Sequence, residues 1–415
     1  MDLSLDEEQA VIASTRSREQ VLARFSAKVL LSEIATLFLQ LSLVLIIYLP
    51  AIRAGHADFR NRYTAGYMVR TGHGSENYDY GAEIIFQNQL VSPESVALPF
   101  IPPAYEALFF APFSFLSFRP AFFLFLAVNL AILFLCMRLL RPCMSNLALL
   151  RFDLPALMFL FFPITVALMQ GQDSILLLAL LTGAFLCIQR DREVAAGAMV
   201  ALGLYKFQLV IPIFLLFLAW RRWRFSAAFA CTSAALAAVS IEIVGVAPSV
   251  RYFHSLIRAG SSLGSVAGSS LNMNMMANLH GALYTVLKGS SLALPMTAAA
   301  SGAVMILLAL RQPRGVDALL IAIPAGVLVS YGMYPHDMCI LILPIVVLLD
   351  RLTGIGKEKY RFRRVQILTA VLLLVAPTLL ILIIALNQFW LVSLPLLAFA
   401  FVITAHPSTA TQSAP

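Results

Sequence analysis

Apolar and polar positions along this chain come in blocks rather than alternating residue by residue. Residues 28–50 include the run "VLLSEIATLFLQLSLVLIIYL", close to the ~20 residues that a helix needs to cross a hydrocarbon layer. Residues 51–102 are polar, and apolar blocks follow at 104–118, 121–140, 152–168, 174–189, a split pair at 194–204 and 207–220, and 226–246. After a stretch rich in Ser, Gly and Asn at 248–290, further blocks occupy 292–310, 316–331, 338–350, 366–386 and 389–404. Several are shorter than ~17 residues, which predicts helices that stop inside a membrane around a cavity. The pattern predicts an all-α integral membrane protein with ten to twelve crossings or half-crossings in a single transmembrane domain over 28–404. It shows no internal repeat and no soluble domain large enough to fold alone. The polar arm 1–27 reads as cytoplasmic, either lying in the interface or disordered, and the tail 405–415 as flexible.

Composition agrees with the pattern. Of 415 residues, 60% are hydrophobic and 12% charged, against roughly 25% charged in a soluble domain. In such a chain the net charge of +8 marks the cytoplasmic ends of helices and does not imply nucleic acid as a partner. The arm lacks the short apolar core and cleavage site of a signal peptide, so the first helix reads as uncleaved. The five cysteines have no paired metal-ligand spacing and read as small buried hydrophobes.

Lys and Arg set the orientation. The clusters are Arg138/Arg141/Arg151, Arg190/Arg192, Arg221/Arg222/Arg224, Arg311/Arg314, and Arg351 to Arg364 with Lys357 and Lys359. They share one side if 152–189 and 194–220 are hairpins and if 104–118 does not cross, and that side is cytoplasmic by the positive-inside rule. Arg53, Arg60, Arg62 and Arg70 in the first loop run mildly against this assignment. The unusual polar residues then gather on the outer face: 51–102, "QGQDS" (170–174), "YKFQ" (205–208), 248–290 and "YPHDM" (334–338).

Each candidate has an ordinary reading beside a chemical one. Asp58 follows the first span by about eight residues, and a loop carboxylate is usually just solvated; Arg60 and Arg62 next to it favour a role. Lys206 joins apolar pieces of 11 and 14 residues, about 16 and 21 Å as helix, so it must meet an anion or a cavity at membrane depth. Gln172 and Asp173 could cap the following helix. His336 and Asp337, after Pro335, could be a helix cap, or could bind phosphate or move a proton. Pro102 and Pro103 open a helix where a missing N–H does no harm. The methionines of "LNMNMMANLHG" (271–281) read as core filler, with a lining for a flexible lipid chain as the other possibility.

Taken in order, "DFRNRYTAGYMVRTGHGSENYD", "PFIPPAYEALFFAPFSFL", the long segment from "QGQDSILLL" through "YKFQLVIPIF" to "AWRRWR", and "YPHDMCILILPIVVLL" make the chain resemble glycosyltransferase family 87 from about residue 30 to 350. Ile101 stands where that family often has Tyr, and Lys206-Phe207 where it often has Lys-Pro. The resemblance implies a GT-C fold and a polyprenyl-phosphate sugar, typically mannose, as donor. It also implies that the acidic residue after the first helix, Asp58, is the catalytic base, which suits the chemistry: a sugar hydroxyl is a poor nucleophile until a positioned carboxylate takes its proton. The departing lipid phosphate needs cationic or hydrogen-bonding partners; Lys206 and His336 are the candidates, with Arg62 a weaker third. Gln172, Asp173, Asn272, Asp337 and Tyr63 are expected to contact substrate.

The expected protein is therefore an inverting, metal-independent glycosyltransferase with no cofactor. It would be a monomer of the inner (plasma) membrane, moving a hexose on the extracytoplasmic face to a glycolipid or polysaccharide. Its partners would be the donor, a lipid or glycan acceptor and membrane lipids. A transporter or flippase would also have broken helices and intramembrane charge, but no paired inverted halves are visible. A lipid-linked oligosaccharide ligase or polymerase shares the oily architecture and usually carries a long outer loop later in the chain.

Overall fold

An apolar environment leaves backbone N–H and C=O groups no partner but each other, so the apolar blocks fold as helices. The computed structural model describes residues 38–403 apart from 39, 43, 45, 47–48, 94–97, 145–157, 159–160, 262–264, 267–268, 271, 355–362 and 385. The arm 1–27, the tail 405–415, and most of the first expected span lie outside the described residues. The helices are α1 (Leu49–Ala54), α2 (Phe59–Arg70), α3 (Tyr80–Leu90), α4 (Tyr105–Phe110), α5 (Phe118–Leu140), α6 (Phe162–Gln170), α7 (Ser174–Gln189), α8 (Glu193–Leu202) and α9 (Phe207–Ala219). They continue with α10 (Trp223–Val244), α11 (Val246–Ser261), α12 (Leu279–Val286), α13 (Ala293–Ala309), α14 (Asp317–Val329), α15 (Ile342–Gly354), α16 (Arg363–Ile384) and α17 (Ser393–Val402). A two-residue antiparallel pairing of Ser265–Val266 with Ser269–Ser270 is the extended structure among the described residues. The all-α expectation is met.

Side-chain contacts sort the helix ends into two groups. Cys143 Sγ donates to Gln189 Oε1, Arg222 Nε lies 2.6 Å from Glu193 Oε1, and Trp220 Nε1 donates to the Leu308 carbonyl. Arg311 reaches the Phe401 carbonyl, Gln366 the Val402 carbonyl, and Arg351 pairs with Asp317 at 2.7 Å. These contacts form a connected layer, so the arginines near 141, 190, 222, 311 and 351 share one end of the bundle. Ser174, Lys206 and Asp337 meet at the other. The 16 residues of α7 put about 24 Å between the two.

Among the described residues, three stretches are long and apolar enough to cross a membrane by length and composition: Phe118–Cys143, Glu193–Ala219 and Trp223–Val244. The second does not run straight. The Glu193–Arg222 ion pair holds its two ends together, so the chain folds back between α8 and α9 through the 3-10 turn Gly203–Lys206. Lys206 therefore sits at the tip of an apolar hairpin, as the two short pieces require. Residues 104–118 do not cross: α4 and the turn Ala111–Phe115 stay at the polar end, where Tyr63 donates to the Leu116 carbonyl and Arg70 to Ser114 Oγ.

The polar end is closed by α2 and α3. Phe59 is fully buried among Phe110, Phe113, Phe118, Phe122 and Phe125, with ring centroids 5.2–6.4 Å away, which anchors the first turn of α2. Arg60, on the other side of that turn, is 2% exposed and donates to Gln87, Asn88, Ser92 Oγ and the Ser92 carbonyl. Asp79 caps α3 by accepting from the N–H groups of Gly81 and Ala82. Within α3, Glu83 is buried and accepts from Phe100 N–H at 3.2 Å. Burial pushes its carboxyl up to about 8 from the usual 4.5, against the pull of that hydrogen bond. A carboxyl held neutral by folding stabilises the fold most below its unfolded pKa, and the contribution is lost as pH rises through the folded one. The thermal unfolding midpoint of the detergent-solubilised chain should therefore fall between pH 4.5 and about 8, and Glu83→Gln should flatten that slope. An unchanged slope in the variant would remove Glu83 as its source.

Candidate active site

The turn between α6 and α7 brings the polar residues of "QGQDS" inward. Gly171 has φ +63°, the left-handed conformation that ends a helix most easily without a side chain. A Cβ there would lie 2.7 Å from Phe59 Cβ and 3.0 Å from the Phe122 ring, so a larger residue would push α2 away. The reversal lets Gln172, Asp173 and Ser174 face α2, the tip of the α8–α9 hairpin, and the 3-10 segment Pro335–Leu341. Asn129 donates to the Gln172 carbonyl. Asn129 lies eleven residues into α5, about 16 Å along its axis, so the site is recessed inside the apolar bundle.

At its centre Lys206 Nζ lies 3.0 Å from Asp173 Oδ1, 2.8 Å from Asp337 Oδ1 and 3.3 Å from Gln172 Oε1. The ammonium is thus met by two carboxylates and one amide oxygen. Gln172 turns its amide nitrogen to Asp58 Oδ2 at 2.6 Å, so one glutamine connects the carboxylate following the first span to the buried lysine. Asp58 starts α2 without capping it, which leaves its carboxylate facing the site. One turn on, Arg62 Nε contacts Asp173 Oδ2 at 3.0 Å and Glu106 Oε1 at 3.3 Å, while Nη1 donates to Asn61 Oδ1. Asp173 occupies the N-cap position of α7 but makes no side-chain cap bond; both its oxygens face cations. The capping reading of that residue is therefore not realised. Tyr205 donates to its backbone carbonyl at 3.4 Å.

His336 and Asp337 complete the opposite wall. Asp337 does both things a helix-end carboxylate can do: Oδ2 accepts from Tyr334 N–H while Oδ1 takes Lys206 and the Ser174 hydroxyl. His336 Nδ1 pairs with Gln170 Oε1 at 2.8 Å, and Nε2 lies 3.5 Å from Asp337 Oδ2. An amide oxygen can only accept, so Nδ1 carries a proton and the Nε2 edge is the more available one.

Asp58, Arg62, Gln172, Asp173, Lys206, His336 and Asp337 are thus joined in one network. Two further candidates are not. Tyr63 packs its ring on Phe59 and Phe118 and donates to the Leu116 carbonyl, because its place on α2 faces the aromatic cage. The Asn272 side chain donates to Asn387 Oδ1 in an exposed contact. Sequence reasoning passed over Glu106, Gln170 and Ser174. Glu106 had a usable signal, a carboxylate in the apolar run "PPAYEALFF", where an ionisable side chain needs a partner. Gln170 and Ser174 are the first and last residues of the quoted "QGQDS", but nothing local tells which way a helix-end side chain points.

Four carboxylates (Asp58, Glu106, Asp173, Asp337) share two permanent cations, Arg62 and Lys206. Interleaving offsets their desolvation, since a lone buried charge is far more costly than a paired one. Among the described residues no group of three or more His, Cys, Asp or Glu is arranged to hold a metal ion; Asp173 and Asp337 are bridged by Lys206. Removing one partner should therefore be severe. Arg62→Met is expected to lower stability by about 3–5 kcal/mol by stranding Asp173 and Glu106, read as a lower unfolding midpoint, and adding Glu106→Gln should restore part of it. Equal midpoints for Arg62→Met and the native chain would contradict the network.

The model of one protein family, glycosyltransferase family 87, matches residues 100–335. No curated protein and no solved structure matches the chain.

Proposed function

The chain belongs to glycosyltransferase family 87, and from that premise we propose that this membrane glycosyltransferase transfers a hexose, with mannose favoured, from a polyprenyl phosphate to an acceptor hydroxyl. Asp58 is the general base, and Lys206 and His336 hold the donor phosphate. The observation that carries this reading is Gln172, which links the Asp58 carboxylate to the Lys206 ammonium inside a recessed polar site. It brings a proton acceptor and a phosphate ligand together, as an inverting transfer needs.

In that reaction the acceptor oxygen attacks the anomeric carbon and its proton passes to Asp58. The bond from that carbon to the phosphate oxygen breaks, and polyprenyl phosphate leaves with the electron pair toward Lys206; His336 joins it only as the imidazolium, in which Nε2 also carries a proton and donates. Attack opposite the phosphate inverts the anomeric configuration. Of the three partners on Lys206, Gln172 Oε1 is the most distant and the only uncharged one, so a phosphate oxygen exchanges with it at the least cost. Arg62 is held by Asp173 and Glu106 and acts on the phosphate at longer range. Gln172, Asp173 and Asp337 orient the sugar and Lys206. The arginine-rich end faces the cytoplasm and the site the outside of the plasma membrane, where a glycolipid or polysaccharide receives the sugar from a monomeric enzyme. A transporter does not account for membership of a glycosyltransferase family.

Asp58→Asn should reduce transfer from a labelled polyprenyl-phosphate mannose by about 10²–10⁴-fold, the usual range for loss of a general base, while donor affinity stays close to native. Native turnover in that variant would remove Asp58 from the mechanism. Lys206→Met should raise the Kd for polyprenyl phosphate at least tenfold, a loss of about 1.4 kcal/mol. Unchanged affinity would dismiss the cradle.

A further inference from the structure

Outside the site, helix α11 carries the strongest separation of chemistries among the described elements. At about 100° per residue, Val246, Val250, Phe253 and Ile257 fall within roughly 60° of one another, and they are 68, 49, 62 and 57% exposed. A second sector faces the protein: Pro248 is buried, and Tyr252 stacks on Tyr78 with ring centroids 4.4 Å apart. Arg251 and His254, both exposed, form a third sector beside the apolar stripe. A helix in water has no reason to present four large hydrophobes in a row.

Its place in the fold says what covers that row. Gly245, with φ +85°, bends the chain at the end of α10, the apolar span Trp223–Val244, of whose most apolar window only 11% is buried in the protein. Val239 and Ile241 at that end of α10 are 41 and 42% exposed, so the stripe on α11 continues a surface already turned toward lipid. The Tyr78–Tyr252 stack ties the helix to the polar cap, and Tyr78 is itself fixed by donating to the Pro102 carbonyl. We propose that α11 is an interfacial helix seated on the bilayer at the site end of the bundle. Val246, Val250, Phe253 and Ile257 enter the acyl boundary, and Arg251 and His254 lie in the phosphate layer of anionic phospholipids. An apolar stripe bordered by polar side chains, one of them the fixed cation Arg251, is the arrangement that holds a helix in the plane of the interface. Through Tyr78 and Tyr252 this seat fixes the height of the cap above the membrane.

The test uses the full chain in nanodiscs of phosphatidylcholine and phosphatidylglycerol, with Cys143→Ala, Cys187→Ala and Cys231→Ser removing the accessible thiols. Single nitroxide labels are placed by Val250→Cys, Phe253→Cys, Ile257→Cys, Arg251→Cys and His254→Cys. Power-saturation measurements with oxygen, which enters lipid, and with a water-soluble nickel chelate read each position. Labels at 250, 253 and 257 should be severalfold more accessible to oxygen than to nickel, with the ratio reversed at 251 and 254. Nickel access at 250 and 253 equal to that at 251 and 254 would overturn the proposal, because the stripe would face water. Low access to both reagents at 250, 253 and 257 would also overturn it, in favour of a protein partner such as a second copy. Because several exposed sites are read independently, one poorly folded variant does not decide the result. Neither negative outcome touches the reading of glycosyl transfer.

Discussion

A lysine ammonium at the tip of an apolar hairpin is tolerable only if anions meet it there. That requirement organises much of the molecule. Lys206 demands Asp173 and Asp337; Asp173 in turn demands Arg62, and Arg62 also takes Glu106. Five segments are thereby tied at one depth: α2, α4, the α6–α7 turn, the α8–α9 hairpin, and the segment from Pro335. Each link is a charge that would be very costly if left unpaired, so the segments can move only together.

The scaffold around this node is built to deliver these residues. Phe59 in its cage of five phenylalanines fixes the helix that holds Asp58 and Arg62. Arg60, bound to Ser92 and the end of α3, ties the return of the first loop to the same helix. Gly171 permits the tight reversal that turns Gln172 and Asp173 inward. The short helices α8, α9, α14 and α15, of 10 to 13 residues, end below the polar cap and leave room for a recessed site. The long helix α5 supplies the wall beside them.

Much of this was legible in the sequence because bilayer physics leaves few options. Block lengths and Lys/Arg placement were enough to mark the helical character, the hairpin at 194–220 and the end of the bundle at which arginines collect. The oddity of Lys206 between two short apolar pieces was enough to mark it. The sequence alone could not supply pairing. Arg62 looked like a free cation for phosphate, yet it is taken by Asp173 and by Glu106, which is 44 residues away. Tyr63 adjoins Arg62 in the chain and Asn272 lies in the polar stretch 248–290, but helix rotation and a contact with Asn387 direct their side chains elsewhere. Such distinctions depend on tertiary contacts that residue spacing does not encode.

On the proposed reading, the network offers a route by which a site with surplus carboxylates would accept an anionic donor. The uncharged Gln172 amide is the replaceable partner of Lys206, and releasing it alters the contact made by Asp58 at the same moment. Under the proposed mechanism, donor entry and freeing of the base would be one event. A structure of the full chain in a nanodisc with a polyprenyl-phosphate sugar bound tests this most directly. The account predicts a phosphate oxygen within hydrogen-bonding distance of Lys206 Nζ in the place of Gln172 Oε1, with Asp58 on the opposite side of the anomeric carbon. A phosphate bound at the arginine-rich end, with the contact between Lys206 and Gln172 intact, would contradict it.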